Sequence, residues 1–272
     1  MHIILYPYGG LANRMRAIDS VVNMCRKHDR LTVWWVKDSG LNCEFAKIFK
    51  PVSFIQDKEV TKTFRWILKR YEKNNNVLRI LIFMLEKLHI LILYDDIQGL
   101  RNSNCVINNG RYLICFIRSW EAFFPLQVFH NELFVLQNLD GLNEEKLKIN
   151  QETVGIHIRR TDNIWSVENS PLEVFETAMK KELDRNPNTD FYLCSDDDET
   201  KAFFKTGDWK GKVKMPSGVL SRGSEDGIIQ AACEMHALSE TRKILGSYWS
   251  SFGEVAARLG NIEIEICTTS QS

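Results

Sequence analysis

The run Val154-Gly155-Ile156-His157-Ile158-Arg159-Arg160-Thr161-Asp162 decides how this chain is read. Its first five residues are short and apolar and read as a buried strand. Directly beyond the strand stand two guanidinium groups, a hydroxyl and a carboxylate. Adjacent arginines at a strand end point different ways, so one can reach into a crevice while the other faces a partner lobe or solvent. The guanidinium is a fixed fork of donors suited to a diphosphate. Surface ion pairs with the abundant Asp and Glu account for the same two residues, and spacing alone leaves both readings open.

The pattern around this run alternates. Pro171 to Arg185 reads as a helix with Leu172, Phe175, Met179 and Leu183 on one stripe, and Phe191–Cys194 as a strand ending in Ser195-Asp196-Asp197-Asp198. A helix from about Gly227 to Leu238, a strand Lys243–Gly246, a Ser/Gly-containing turn, a helix Phe252–Leu259 and a strand Ile262–Ile266 complete the half. Such alternation builds a doubly wound α/β lobe, which binds ligands beyond the C-terminal ends of its strands. The charged and hydroxyl clusters of this half fall at those ends.

The first fifty residues repeat the theme. Ile3–Tyr6 is a short strand, Gly9-Gly10 breaks it, and from Leu11 apolar residues recur at helical spacing through Met15, Ile18, Val22 and Cys25. Leu31–Val36 is the next buried strand, a unit that fits a parallel sheet. Residues 60 to 100 read as mostly helical, Tyr112–Ile117 as a strand, and Leu133 to Leu147 as a connecting helical region interrupted by Asn138-Leu139-Asp140-Gly141. The expected seam lies there, giving lobes 1–140 and 141–272.

The bulk numbers exclude several classes. Hydrophobic residues at 44% and charged residues at 26% argue against disorder and coiled coil. With 35 basic and 35 acidic side chains the chain has no basic excess, which speaks against a nucleic-acid partner. Seven cysteines, odd in number and without a Cys-x-x-Cys pair, read as small core residues in a reducing, cytoplasmic compartment. The N-terminus reads as a first strand rather than a signal peptide. Val77 to Tyr94 is the most apolar stretch, but Arg79, Glu86, Lys87 and His89 speak against a bilayer-spanning helix. A buried or interfacial helix is expected instead, with peripheral membrane contact as one use of it.

The run Gly155–Asp162 resembles the His-x-Arg-Arg-Thr-Asp motif of the α-1,6-fucosyltransferases and their bacterial nodulation-type relatives. Tyr192–Asp197 is similar to the family's strand ending in a small residue and an Asp pair, and Gly227–Ser239 to its next helix. Ser250-Ser251-Phe252 resembles a turn shared with the protein-O-fucosyltransferases. Gly9-Gly10-Leu11-Ala12-Asn13-Arg14 looks like the glycine-rich first loop of the same superfamily. The C-terminal motifs keep the family's order and spacing, whereas roughly 40 to 140 matches none of its motifs.

The resemblance implies a GT-B-like fold, two Rossmann-like lobes facing a cleft, and an inverting transfer from GDP-fucose to a glycan acceptor without a metal. The GDP-sugar is then a substrate, and no cofactor is expected. By the same resemblance Arg160 binds the diphosphate as it leaves and His157 lies beside the nucleoside. Glu234 stands where the family's guanine-contacting Asp does, a departure that weakens the guanine assignment. Arg159, Asp196, Asp197, Arg222, Ser250, Ser251, Gly10 and Asn13 are the further donor-binding candidates, with Arg14 an alternative to Asn13. Ser250 and Ser251 precede an apolar helix, so their hydroxyls either cap it or, with its N–H groups, bind phosphate. Asp196-Asp197-Asp198 reads either as a metal cluster or as the acidic start of a helix. The arginine pair already supplies positive charge, and no metal ligand is expected. An inverting transfer also needs a base. Glu168 lies one residue from the family's position for it, and Asp162 is the other candidate.

Overall fold

The computed structural model describes residues 1–59, 76–95, 112–124, 128–161, 163–216 and 223–269. The chain forms two compact units, Met1–Val135 and Leu136–Ser272. The seam read from the polar run lies a few residues further along.

In the first unit β1 (His2–Pro7), α1 (Leu11–Met24), β2 (Arg30–Val36), α2 (Phe45–Ile48), β3 (Ile55–Lys58), α3 (Asn76–Lys87), β4 (Leu91–Tyr94) and β5 (Ile114–Ser119) follow in order. The strands pair in parallel as β3-β2-β1-β5-β4. Ile3, Leu5, Val33 and Trp35 are fully buried, as are Met15, Ile18 and Val21 of α1. The glycine pair does two jobs at the turn. Gly9 takes φ +81, which only glycine adopts freely, and Gly10 stands at the start of α1 in extended conformation. α1 also buries polar side chains that fasten loops. Ser20 Oγ accepts from the backbone N–H of Phe123 (2.9 Å) and Phe124 (2.7 Å), and Asp19 Oδ1 accepts from His130 N–H at 2.8 Å.

Two expectations change here. The stretch from 76 to 94 is a helix followed by a strand, not continuous helix, and no residue of α3 is buried. The boundary is hidden because His89 does work usually done by glycine. It takes φ +58, its N–H bonds Glu86 O (3.0 Å), and Ile90 N–H bonds Leu85 O (2.9 Å), a left-handed helix stop. The helical reading of 60–75 and 96–100 lies outside the described residues. Among the described residues no helix is long and apolar enough to cross a membrane.

The second unit contains α4 (Asp140–Lys146), β6 (Val154–Ile158), α5 (Ile164–Asn169), α6 (Leu172–Arg185), β7 (Phe191–Ser195), α7 (Asp198–Phe204), β8 (Val213–Lys214), α8 (Glu225–Ser239), β9 (Lys243–Ser247), α9 (Ser251–Gly260) and β10 (Glu263–Cys267). Its parallel sheet has the order β10-β9-β6-β7-β8. The chain therefore builds outward from β6 through β7 to β8, then crosses to β9 on the other side. That reversal leaves a topological switch point between β6 and β9. Val154, Ile156 and Ile158 of β6 pack with Phe175, Met179, Phe191, Leu193 and Leu245 in one core. Gly155 permits close approach on the other face. A Cβ there would stand 2.7 Å from Thr241 Oγ1 and 2.9 Å from Leu238 Cδ2.

Candidate functional site

The residues of the opening run gather at the C-terminal end of β6. Arg159 N–H donates to Ser247 Oγ (3.0 Å), and that hydroxyl lies 3.4 Å from His157 O, so β6 and β9 are joined beyond their last ladder pair. Asp196, at the end of β7, gathers the other side. Its Oδ1 accepts from Arg160 N–H (2.9 Å), and its Oδ2 accepts from Thr161 Oγ1 (2.7 Å) and pairs with Arg159 Nη1 (2.8 Å). One carboxylate thus holds the loop between β6 and α5 in shape.

The two arginines differ as adjacent residues at a strand end should. Arg159 is committed to Asp196. Arg160 Nη1 donates to Ser170 O at 2.8 Å, while its buried Nη2 has no hydrogen-bond partner among the described residues. Burial lowers the Arg160 pKa against the pull of Asp197, Asp196 and Glu173, and a guanidinium remains charged regardless. Arg160 is therefore the arginine with donor capacity to spare. An unsatisfied buried donor of this kind costs about 1–3 kcal/mol or more, which makes it a strong attractor for an acceptor group.

His157 is buried and stacks on Phe252 at 4.8 Å with 20° between the planes. Burial, only partly opposed by Asp196, pushes its pKa down to about 4, so the ring is neutral at ordinary pH. Ser250 stands at the N-terminus of α9, yet makes no capping hydrogen bond, and its Oγ lies 3.5 Å from His157 Nδ1. Of the two roles open to that hydroxyl, the plain cap is not the one it adopts. Ser251 is the first residue of α9 and is partly exposed.

The aspartate triplet divides its labour. Asp196 organises the loop, and Asp197 caps α7 by accepting from Thr200 N–H (2.8 Å) and Thr200 Oγ1 (2.6 Å). Burial pushes the Asp197 carboxyl up, but the Thr200 hydrogen bonds and the Arg160 charge outweigh it and hold it below the usual range. Asp198 is exposed and pairs with Lys201 at 3.4 Å.

Other candidates lie elsewhere. Glu168 is exposed on α5. Asp162 and Arg222 lie outside the described residues. Gly10 and Asn13 belong to the first unit, where Asn13 Oδ1 accepts from Arg16 Nη2 at 3.0 Å. Arg14 faces inward. It is fully buried, donates to the Gly9 and Val36 carbonyls, and pairs with Asp38 at 2.8 Å, so it holds the turn. Glu234 is 1% exposed on α8, with Gln230 Nε2 donating to it at 3.2 Å. Burial foremost, then the neighbouring Glu145, pushes its carboxyl up to about 7, against the Gln230 hydrogen bond and the charges of Lys201 and Lys148. A ligand reaches this carboxyl only if the packing around it yields.

Two residues escaped the sequence reading. Trp165 and Trp249 are 66% and 67% exposed at this edge of the unit. Asn163 caps α5 and donates from Nδ2 to Trp249 O at 2.9 Å, tying the two segments together. Trp249 takes φ +54, a strained conformation for a bulky residue and one that clusters at ligand sites. The only sequence signal was tryptophan in a polar turn beside Ser-Ser.

A doubly wound parallel lobe with arginine and hydroxyl groups at its switch point belongs to the α/β folds that take ligands in the crevice beyond their strand ends. No family model and no curated protein sequence matches the chain. Solved structures do. The NodZ α-1,6-fucosyltransferase soaked with GDP-fucose matches at TM-score 0.55 and 15% identity, over 95% of this chain and 92% of that one. A mutant FUT1 of Arabidopsis thaliana in complex with GDP matches at 0.56 and 15%, over 97% and 69%. POFUT1 in complex with GDP-fucose matches at 0.54 and 10%, over 98% of each. The fold is the GT-B-like α/β fold of these fucosyltransferases, in line with the resemblance carried by the His-x-Arg-Arg-Thr-Asp run.

Proposed function

We propose that the chain is an inverting, metal-independent glycosyltransferase that moves a sugar, fucose first among candidates, from a GDP-sugar to a glycan acceptor. The observation that carries this reading is Arg160, whose buried Nη2, unpartnered among the described residues, stands at the switch point of the second sheet. In the proposal Arg160 donates to the departing diphosphate. The N-terminus of α9, where the Ser250 hydroxyl leaves the backbone N–H groups uncapped, takes a second share of that charge. Neutral His157 and its stacked Phe252 supply a flat apolar wall near the donor. Rate enhancement then comes from positioning and electrostatic stabilisation of the leaving group. Glu168, exposed on α5, is the first candidate base and Asp162 the second. Metal independence is supported by the separate duties of Asp196, Asp197 and Asp198. The GDP and GDP-fucose named with the similar structures support the donor class. The free thiols of Cys25, Cys43, Cys115, Cys194, Cys233 and Cys267 support a reducing, cytoplasmic setting.

The buried state of Glu234 favours a second reading, a scaffold of this fold that takes another nucleotide sugar or binds without turnover. Nucleotide release and thermal shift with GDP-, UDP- and ADP-sugars separate the two. A larger melting shift with GDP than with UDP or ADP, together with GDP release, supports the fucosyltransferase reading. Equal shifts from the three nucleotides overturn it.

A further inference from the structure

Hydrogen bonds, rather than a buried apolar face, hold α5 in place. Of its six residues only Ser166 is buried, while Ile164, Trp165 and Val167 are 71%, 66% and 40% exposed. At its start Asn163 accepts from Ser166 N–H (3.1 Å) and donates to Trp249 O (2.9 Å). At its end Ser170 O accepts from Arg160 Nη1 (2.8 Å), and Ser170 Oγ accepts from Tyr248 N–H (2.8 Å). Both ends are thus tied to the candidate site, to Arg160 on one side and to the Trp249-Ser250 turn on the other. Trp249 is fixed as well. That frame holds it at φ +54, and its ring leans on Tyr248 with centroids 6.1 Å apart. The second unit therefore presents two exposed indoles on restrained backbone beside Arg160, a use of tryptophan that packing does not explain.

The chemistry beside the indoles selects the ligand. On a helix surface residues three and four apart are neighbours, so Trp165 shares a face of α5 with Glu168 and Asn169. Asn169 Nδ2 donates to the backbone O of Trp165 at 2.9 Å, and Glu168 is exposed. A flat aromatic surface thus stands next to a carboxylate. A pyranose ring matches both, since its C–H face packs on an indole while the hydroxyls on its edge donate to a carboxylate. Other occupants match less well. α5 carries Glu168 and no cation, which leaves an anionic lipid or a nucleic acid without a counter-charge. The exposed two thirds of two indoles come to roughly 300 Å², short of the ~800 Å² per partner of a stable protein interface. We propose that Trp165 and Trp249 form a stacking platform for neutral sugar rings of the glycan acceptor and bring one of its hydroxyls to Glu168. This deepens the glycosyltransferase reading and rests on it.

The test is a printed array of neutral and acidic glycans probed with the full chain, followed by titration of the strongest neutral binder while tryptophan fluorescence is read. The wild type should bind neutral glycans, with the fluorescence change that a sugar laid on an indole produces. Trp165→Ala should weaken that binding by at least about tenfold and Trp165→Phe should recover part of it, while the melting shift given by GDP stays. Trp249→Gly should weaken it likewise. Glycine accepts the positive φ, so the unliganded melting point of that variant should not fall. A wild type that GDP stabilises but that binds no glycan on the array overturns the platform and leaves the donor reading standing. Glycan binding that neither Trp165→Ala nor Trp249→Gly weakens overturns it too, as does a dimer in light scattering that Trp165→Ala dissolves. A wild type that binds neither GDP nor glycan takes the donor reading down with the platform.

Discussion

Glu234→Gln turns the least accessible candidate into a measurement. The wild-type carboxyl is 1% exposed, and burial moves it from the ordinary 4.5 to about 7. Between those values the native state keeps a proton that the unfolded chain has released. Stability therefore falls as pH rises through that window, and the loss is complete above the native value. The span of about 2.5 units, at about 1.36 kcal/mol per unit, corresponds to about 3 kcal/mol. Glutamine reproduces the neutral acid in shape and cannot ionise. The variant should match the wild type near pH 4.5 and exceed it by up to about 3 kcal/mol at pH 8. Urea unfolding of both proteins at matched ionic strength across this range reads the difference directly. Parallel stability curves, or a variant that is less stable at pH 8, would refute a buried acid held in its protonated form. The same variant tests base reading. If Glu234 accepts from the two adjacent donors of guanine as a carboxylate, GDP affinity weakens below about pH 7 in the wild type and is low at every pH in the variant. GDP affinity that ignores both pH and the substitution assigns the base contact elsewhere.

Arg160→Lys should weaken GDP binding nearly as much as Arg160→Ala, by about 2–5 kcal/mol in calorimetry, because lysine keeps the charge and loses the fork. Near-normal affinity in the lysine variant would remove Arg160 from the diphosphate. Excess EDTA should leave nucleotide release unchanged, and strong recovery on adding manganese or magnesium would move Asp196-Asp197-Asp198 to metal ligation. Gly260→Ala would set a Cβ 2.0 Å from Ser239 O, a backbone atom, so the ends of α8 and α9 must part. A loss of about 1–3 kcal/mol is expected, with a melting point lower by several degrees, and an unchanged melting point would contradict the close approach.

The second unit was legible because its strands are short apolar runs flanked by turn residues, and β6, β7 and β9 are buried throughout. Helix periodicity and strand punctuation agreed there. Around Val77 to Tyr94 they did not. Apolar residues run on through the whole stretch, and the stop between α3 and β4 is a histidine in the left-handed region, so neither glycine nor proline marks the change. Of the buried or interfacial helix expected there, the buried alternative failed for a different reason, since hydrophobicity reports what a face prefers and not whether a partner covers it. At the candidate site spacing alone named Arg159 and Arg160 without dividing their tasks, and only the resemblance singled out Arg160. That division depends on Asp196, which is distant in the chain and reaches both arginines only because β6 and β7 are neighbours. Trp165 and Trp249 stayed hidden because tryptophan is normally a core residue, and only exposure and the left-handed φ at Trp249 set them apart.

The strand order of the second sheet also sets the sequence of events during synthesis. β6 emerges early, and β7 and β8 can add to one of its edges as they appear. Its other edge waits for β9, with β10 adding last beside it. Until then a central strand presents open N–H and C=O groups, the template on which unrelated chains aggregate. Non-local parallel pairing of this kind forms slowly, because the intervening loop must close before any ladder bond rewards it. The wall of the crevice that carries Ser247 and Ser250 is thus the last to be laid down. Chains interrupted before Lys243 should collect as insoluble nascent fragments, whereas interruption after β10 should release soluble protein.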